Sequence, residues 1–149
     1  MINYVSIDIP RNSLKKMGRK IVLELFEKKN ILSKFQLFNK YLYLNSLEPI
    51  SDDLKAKFNL IEAELCDTNV DNIYNNIKNI ISSEHNIQTF AIKVLRKGEH
   101  SFTSTELARE LAGSVFELFP NVRVDLRNPE FKVHIKVLNN KCLIYMEKR

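Results

Sequence analysis

The feature that most constrains the fold is how the spacing of apolar residues changes along the chain. In Tyr4-Val5-Ser6-Ile7-Asp8-Ile9 they alternate, with Val5, Ile7 and Ile9 on one face, the period of a half-buried strand. Pro10 ends that run, and Asn12 or Ser13 stands where a helix cap is needed. Leu14, Met17, Ile21, Leu25 and Phe26 then recur at helical spacing and form an apolar stripe, with Lys15, Lys16, Arg19 and Lys20 at or beyond its edge.

Two short strands follow, 34–38 and 40–44, and the tight Asn39-Lys40 junction suits a hairpin. Pro49 breaks the chain, Ser51-Asp52-Asp53 caps a short helix through Lys57, and Leu60 to Leu65 makes another strand. The order βαββαβ is that of the ferredoxin-like split unit, with two helices on one face of an antiparallel sheet. We therefore expect an α+β protein whose first domain spans residues 1–68.

A second domain is expected over 69–149. Val70, Ile73, Tyr74, Ile77, Ile80 and Ile81 give a helical stripe, and Thr89 to Leu95 reads as a strand. Arg96-Lys97-Gly98-Glu99-His100-Ser101-Phe102 reads as a loop. Thr103 or Ser104 caps the next helix, with Glu106 placed for a capping box and Leu107, Leu111, Val115, Phe116 and Leu118 facing inward. A strand over 122–126, a turn at Arg127-Asn128-Pro129, an alternating strand over 131–137, a hairpin turn at Asn139-Asn140 and a strand over 142–146 complete a mixed sheet.

Composition narrows the function. No run approaches the ~18 apolar residues that span a bilayer, and the N-terminus enters a strand-like pattern directly, so a cytoplasmic protein with no membrane partner is expected. Cys66 and Cys142 show no CxxC spacing and read as two reduced thiols. The net charge of +5 is compatible with a polyanionic partner without demanding one. The abundance of asparagine, lysine and isoleucine reads as genomic bias.

At Phe90 to Tyr145 the residues themselves are informative. Ala91-Ile92-Lys93-Val94-Leu95-Arg96-Lys97-Gly98-Glu99-His100-Ser101-Phe102-Thr103-Ser104 resembles the strand, basic loop and helix start of the THUMP domain. Val124-Asp125-Leu126-Arg127-Asn128-Pro129-Glu130, followed by Val133-His134-Ile135-Lys136-Val137, is similar to its later strand, Asn-Pro turn and alternating strand. The family occurs in tRNA-modifying proteins: thiouridine synthetases, methyltransferases, deaminases, archaeal pseudouridine synthases and an acetyltransferase adaptor. The resemblance implies tRNA binding, and in the thiouridine synthetases a grip on the 3′ end and acceptor stem behind a ferredoxin-like domain.

No SGGxDS-type loop, Rossmann glycine fingerprint or zinc-deaminase motif is present, so no catalysis and no cofactor are expected. Two organisations stay open. The chain is a stand-alone adaptor that presents tRNA to a separate tRNA-modifying enzyme, or it is the N-terminal RNA-binding part of such an enzyme. A third reading makes it a protein-docking adaptor without a direct RNA grip.

The candidate contacts centre on Arg96, Lys97 and His100, where a planar fork and a point charge stand before a helix N-terminus, a phosphate-binding combination. The alternative is a solvated basic turn. Lys93, Thr103, Ser104 and Arg109 extend the site, with Thr103 and Ser104 capping first. Arg109 has an ion pair with Glu106 or Glu110 as its alternative. Arg123, Arg127 and Asn128 add cations and an amide around Asp125, read as an acceptor for a loop N–H or an arginine. Lys15, Lys16 and Arg19 oppose the helix dipole and form a further basic patch. Lys132 and Lys136 read as plain solvent-facing lysines, Phe102 as a packing residue, and the histidines as no metal site.

Overall fold

In the computed structural model, which describes residues 1–149, each change of apolar spacing marks a change of element. The chain forms two compact units, Met1–Glu62 and Ala63–Arg149. The boundary falls within the strand Leu60–Cys66.

The first unit contains β1 (Ile2–Ser6), α1 (Leu14–Lys29), β2 (Ser33–Phe38), β3 (Tyr41–Ser46), α2 (Asp52–Phe58) and the start of β4 (Leu60–Cys66). Its strands lie in the order β2-β3-β1-β4, all antiparallel, the ferredoxin-like arrangement. Leu14, Ile21 and Leu25 of α1 and Leu54 and Phe58 of α2 share one core with Tyr4, Leu42, Leu44 and Leu60, so both helices cover the same sheet face.

Several expectations shift here. β1 begins two residues earlier than the alternation indicates and ends at Ser6. Tyr4, Val5 and Ser6 are all buried, so both faces of the strand are covered and alternation loses its meaning. The Ser6 hydroxyl donates to the Phe58 carbonyl at 2.9 Å, and the Ile50 N–H donates to the Tyr4 hydroxyl at 3.1 Å.

On α1 the buried face is Leu14, Gly18, Ile21 and Leu25, while Phe26, one step round the helix, is half exposed. Glycine is required at position 18 by close approach: a Cβ there would lie 2.5 Å from the Phe35 ring. Neither Ser13 nor Ser51 makes a side-chain cap bond. Both helices are instead closed at their C-termini by asparagines in left-handed backbone, Asn30 (φ 55) and Asn59 (φ 57). At Asn30 the chain turns back on the helix end: the Asn30 N–H donates to the Phe26 carbonyl at 3.0 Å and the Ile31 N–H to the Leu25 carbonyl at 3.1 Å.

The second unit adds α3 (Val70–Ile81), β5 (Thr89–Lys97), α4 (Ser104–Leu118), β6 (Arg123–Val124), β7 (Phe131–Leu138) and β8 (Lys141–Lys148). Its strands run β4-β8-β7-β5-β6. The β4–β8 and β8–β7 pairs are antiparallel, whereas β7–β5 and β5–β6 are parallel. This is the expected mixed sheet. Ile73, Ile77 and Ile81 of α3 and Leu107, Leu111 and Val115 of α4 bury against Phe90, Phe131, Val133, Ile135, Val137, Cys142 and Ile144. The opposite sheet face is left to the alternate residues of β5 and β7.

Asn69 caps α3 by accepting from the Asn72 N–H at 3.2 Å. Thr103 caps α4 by accepting from the Glu106 N–H at 3.1 Å. Phe116 and Leu118, expected inward, are more than a third exposed; Ser114 takes the buried position between Leu111 and Val115. The strand expected over 122–126 is only two residues long. Asn39 (φ 56) and Asn139 (φ 56) make the two hairpin turns foreseen from sequence. Cys66 and Cys142, far apart in sequence, are cross-strand partners, both reduced. A thiol–thiol hydrogen bond together with burial pushes Cys142 far above the usual thiol range, and the same bond lowers Cys66. No helix is long and apolar enough to cross a membrane.

Candidate nucleic-acid interface

The largest correction concerns the loop after β5. Arg96 and Lys97 are not loop residues; they are the last two residues of the strand, paired with Val137 and Leu138 of β7. Alternation therefore sends their side chains to opposite faces of the sheet. Lys97 is exposed. Arg96 is turned to the helix side and engaged internally: its Nη1 donates to the Gly98 carbonyl at 3.0 Å and lies 3.3 Å from His100 Nδ1. Its Nε is buried without a partner.

His100 completes a small network. Its Nε2 lies 2.7 Å from the Asn139 carbonyl. A carbonyl can only accept, so Nε2 carries the proton and Nδ1 is left to accept from the guanidinium. The ring stacks on Phe102 at 5.3 Å between centroids, and Phe102 packs on the core as the sequence indicated. The Asn139 N–H donates to the Lys97 carbonyl at 2.8 Å, tying the β7–β8 turn to the end of β5. Gly98 takes φ 106, open only to glycine, and a Cβ there would meet Asn139 Oδ1 at 2.7 Å. Asn139 is thus part of the site; its sequence signal was that of a hairpin turn and carried no hint of this role.

The result is a fixed connection leading into the N-terminus of α4. Thr103 satisfies the Glu106 amide, and the Leu107 N–H bonds the Thr103 carbonyl. The amides of Ser104 and Thr105 are the remaining open donors of the first turn, suited to an anion. Arg109 is exposed on the same helix.

The other predicted residues fall elsewhere. Arg123, Arg127 and Asn128 stand at the opposite end of β5: Arg123 pairs with Thr89, and the Arg127-Asn128 turn leads into β7 where Phe131 pairs with Phe90. The strand between these ends is eight steps long, ~26 Å. Asp125 acts as the expected acceptor, taking the N–H groups of Arg127 and Asn128 at 3.0 and 3.1 Å. Those backbone bonds hold its carboxyl below the usual range. Arg127, Asn128, Lys132, Lys148 and Arg149, with Pro129 and the carboxylate of Glu147, line a cavity of about 90 Å³. Lys93 lies between the two ends, exposed on the sheet face away from the helices. His134 is its cross-strand neighbour; burial lowers its pKa, opposed by the Glu147 carboxylate 3.4 Å away. Lys15, Lys16 and Arg19 are exposed on α1, in the first unit.

Comparison with known proteins places this arrangement. The THUMP domain family model matches residues 67–147, more than half of the chain. A probable tRNA sulfurtransferase from Methanobrevibacter smithii is 46% identical over 59 residues, 40% of this chain and 15% of that protein. Among solved structures, a 4-thiouridine synthetase–RNA complex with bound ATP has a TM-score of 0.75 at 18% identity, covering 99% of this chain and 41% of that one. TrmN from Thermus thermophilus has a TM-score of 0.65 at 14% identity, covering 99% of this chain and 46% of that one. The chain therefore spans less than half the length of each of these proteins. With the mixed sheet, the strand-to-helix connection and the Asn-Pro turn in place, and the match running through them, the chain belongs to the THUMP domain family.

Proposed function

We propose that this chain is a cytoplasmic tRNA-binding module that receives the acceptor stem and 3′ end of tRNA and presents them to a separate tRNA-modifying enzyme. It performs no chemistry itself and needs no cofactor. The observation that carries the reading is the connection from β5 to α4. There Arg96, Gly98, His100 and Asn139 are fixed to one another, and the Ser104 and Thr105 amides lie open beyond the Thr103 cap. A rigid anion receptor costs little ordering entropy on binding, which suits capture of a flexible single-stranded end. Phosphate contacts set register, and RNA shape supplies specificity more than base sequence does. The relatives' names, tRNA sulfurtransferase and a 4-thiouridine synthetase bound to RNA, support the same class of partner.

The test is a gel-shift comparison of intact tRNA with tRNA trimmed of its single-stranded 3′ nucleotides. Each held base is worth ~1–3 kcal/mol, so trimming should weaken binding about tenfold or more. Equal affinity for both RNAs contradicts a grip on the 3′ end.

A second reading has its own support. The matched region is 15% of the sulfurtransferase and the chain spans 41% of the synthetase, so in those proteins this architecture is one part of a larger enzyme. In that case the RNA contact is unchanged and the catalytic domain is covalently attached.

A further inference from the structure

The chain has two cysteines, and the fold brings both to one place. Cys66 is the last residue of β4, and Cys142 stands one residue into β8. They face each other directly across the antiparallel β4–β8 ladder, as its final pair. Directly opposed residues hold their Cβ atoms ~4.5–5.5 Å apart, and a disulfide needs ~3.5–4.5 Å. A closure of roughly 1 Å at the end of a ladder therefore suffices, with no change of register. The two sulfurs already share a hydrogen bond.

The two thiols are not equivalent. Cys142 is fully buried in the core of the second unit, whereas Cys66 is partly exposed and packs against that core. Cys142 donates the S–H···S bond and Cys66 accepts it, which favours a thiolate on Cys66 and keeps the proton on Cys142. Lys141 adds a favourable charge near Cys66, while Asp67 and Glu64 oppose it. Cys66 is therefore the sulfur that meets solution, and Cys142 is a second thiol in contact beneath it. A partly exposed nucleophilic sulfur with a resolving thiol at hand is the arrangement of an oxidation-sensitive pair; a cysteine that only fills space needs neither. The chain between them, 67–141, contains α3, β5, α4, β6 and β7, so a bond here closes a loop around most of the second unit.

We propose that Cys66 and Cys142 form a reversible redox pair: a hydroperoxide oxidises Cys66, and Cys142 resolves it to a cross-strand disulfide that staples the second unit. The Cys66 thiolate attacks one peroxide oxygen, the O–O bond breaks, and the departing hydroxide takes up a proton as water. Cys66 is then a sulfenic acid, oxidised by two electrons. The Cys142 sulfur attacks the Cys66 sulfur, the S–S bond forms and the S–O bond breaks. The hydroxyl leaves with the Cys142 proton as a second water. Two thiols and one hydrogen peroxide thus give one disulfide and two waters. An external thiol reverses the step by exchange, two of its molecules becoming a disulfide in turn. A small peroxide suits Cys66 better than a bulky disulfide does, because Cys66 is only partly exposed.

The test is thiol counting on the whole chain, folded and reduced, after treatment with equimolar hydrogen peroxide. Both thiols should be lost together, with the mass falling by two hydrogen atoms per chain. Peptide mapping without reductant should join the Cys66 and Cys142 peptides within one chain, and dithiothreitol should restore both thiols. The oxidised chain should melt roughly 5 °C or more above the reduced one, since a long closed loop restricts the unfolded state. Cys142→Ser should stop at a sulfenic acid on Cys66, trapped by dimedone, and Cys66→Ser should leave Cys142 unreactive while folded. Circular dichroism of both variants separates loss of a partner from loss of the fold, and the parent measurement stands without them. Parent chain whose Cys66 passes to sulfenic or sulfinic acid while Cys142 stays free overturns the proposal. So does a disulfide formed only between chains, or oxidation that begins only after denaturation, because the thiols then serve only to pack. An oxidised chain that melts no higher than the reduced one overturns the staple. None of these outcomes depends on whether the chain binds RNA.

Discussion

Replacing Arg96 with alanine is expected to weaken tRNA binding about tenfold or more, even though its guanidinium faces into the protein. That group supplies the donor to the Gly98 carbonyl and to His100 Nδ1, and through His100 it secures the Asn139 turn. An unsatisfied polar group costs ~1–3 kcal/mol, and part of that cost on the ordered receptor is a tenfold loss of affinity. Lys97 acts by a different route. Lys97→Ala removes an exposed charge and should lower the salt slope by about one contact, whereas Arg96→Ala should lower affinity with the slope preserved. Arg96→Lys should fail to rescue, because an ammonium cannot reproduce the planar fork. An Arg96→Ala protein that binds tRNA like the parent would show that the network does not organise the receptor.

The largest effect on stability is expected at Phe90. Its ring is 1% exposed and meets Phe116 edge-on at 5.4 Å, under the helix layer of the second unit. Phe90→Ala removes the ring and leaves a cavity in a core bounded by two helices and three strands, a change costing ~3–5 kcal/mol. For a unit of this size the melting temperature should fall by roughly 10 °C or more, measured by calorimetry. Phe116→Ala, at a side chain 39% exposed, should cost much less. Equal losses at the two positions would show that the core is not centred on Phe90.

These expectations show where the sequence was legible. Period-two and helical spacing located the strands and the long helices, though not the 3-10 turn at Arg11–Ser13, because burial on one side of an element leaves a regular imprint. Legibility failed where burial was two-sided. β1 has no exposed face over Tyr4, Val5 and Ser6, so its bounds were misplaced. It failed again for Phe26 and Phe116, apolar residues one step off the buried face. The abundance of asparagine, read as bias, also has conformational work: beside the foreseen turns at Asn39 and Asn139, Asn30, Asn59 and Asn86 take positive φ.

At the candidate site, residue types were legible and their directions were not. Adjacent Arg96 and Lys97 look like one cluster in sequence, yet a strand sends neighbours to opposite sides. Lys136 looks like an ordinary surface lysine until the parallel register sets it beside Leu95, between the levels of Lys93 and Lys97. Register between strands 40 residues apart depends on packing of the whole sheet, which no local pattern encodes.

The central claim is that the connection from β5 to α4 receives the RNA terminus, and backbone amide shifts report on it most directly. The protein should be titrated with a short oligonucleotide carrying the tRNA 3′ sequence and followed by heteronuclear NMR. Saturable shifts concentrated on Lys97 to Thr105, with Asn139 following, are the predicted result. Shifts concentrated on α1 of the first unit, or none in this segment while intact tRNA still binds, would contradict the account.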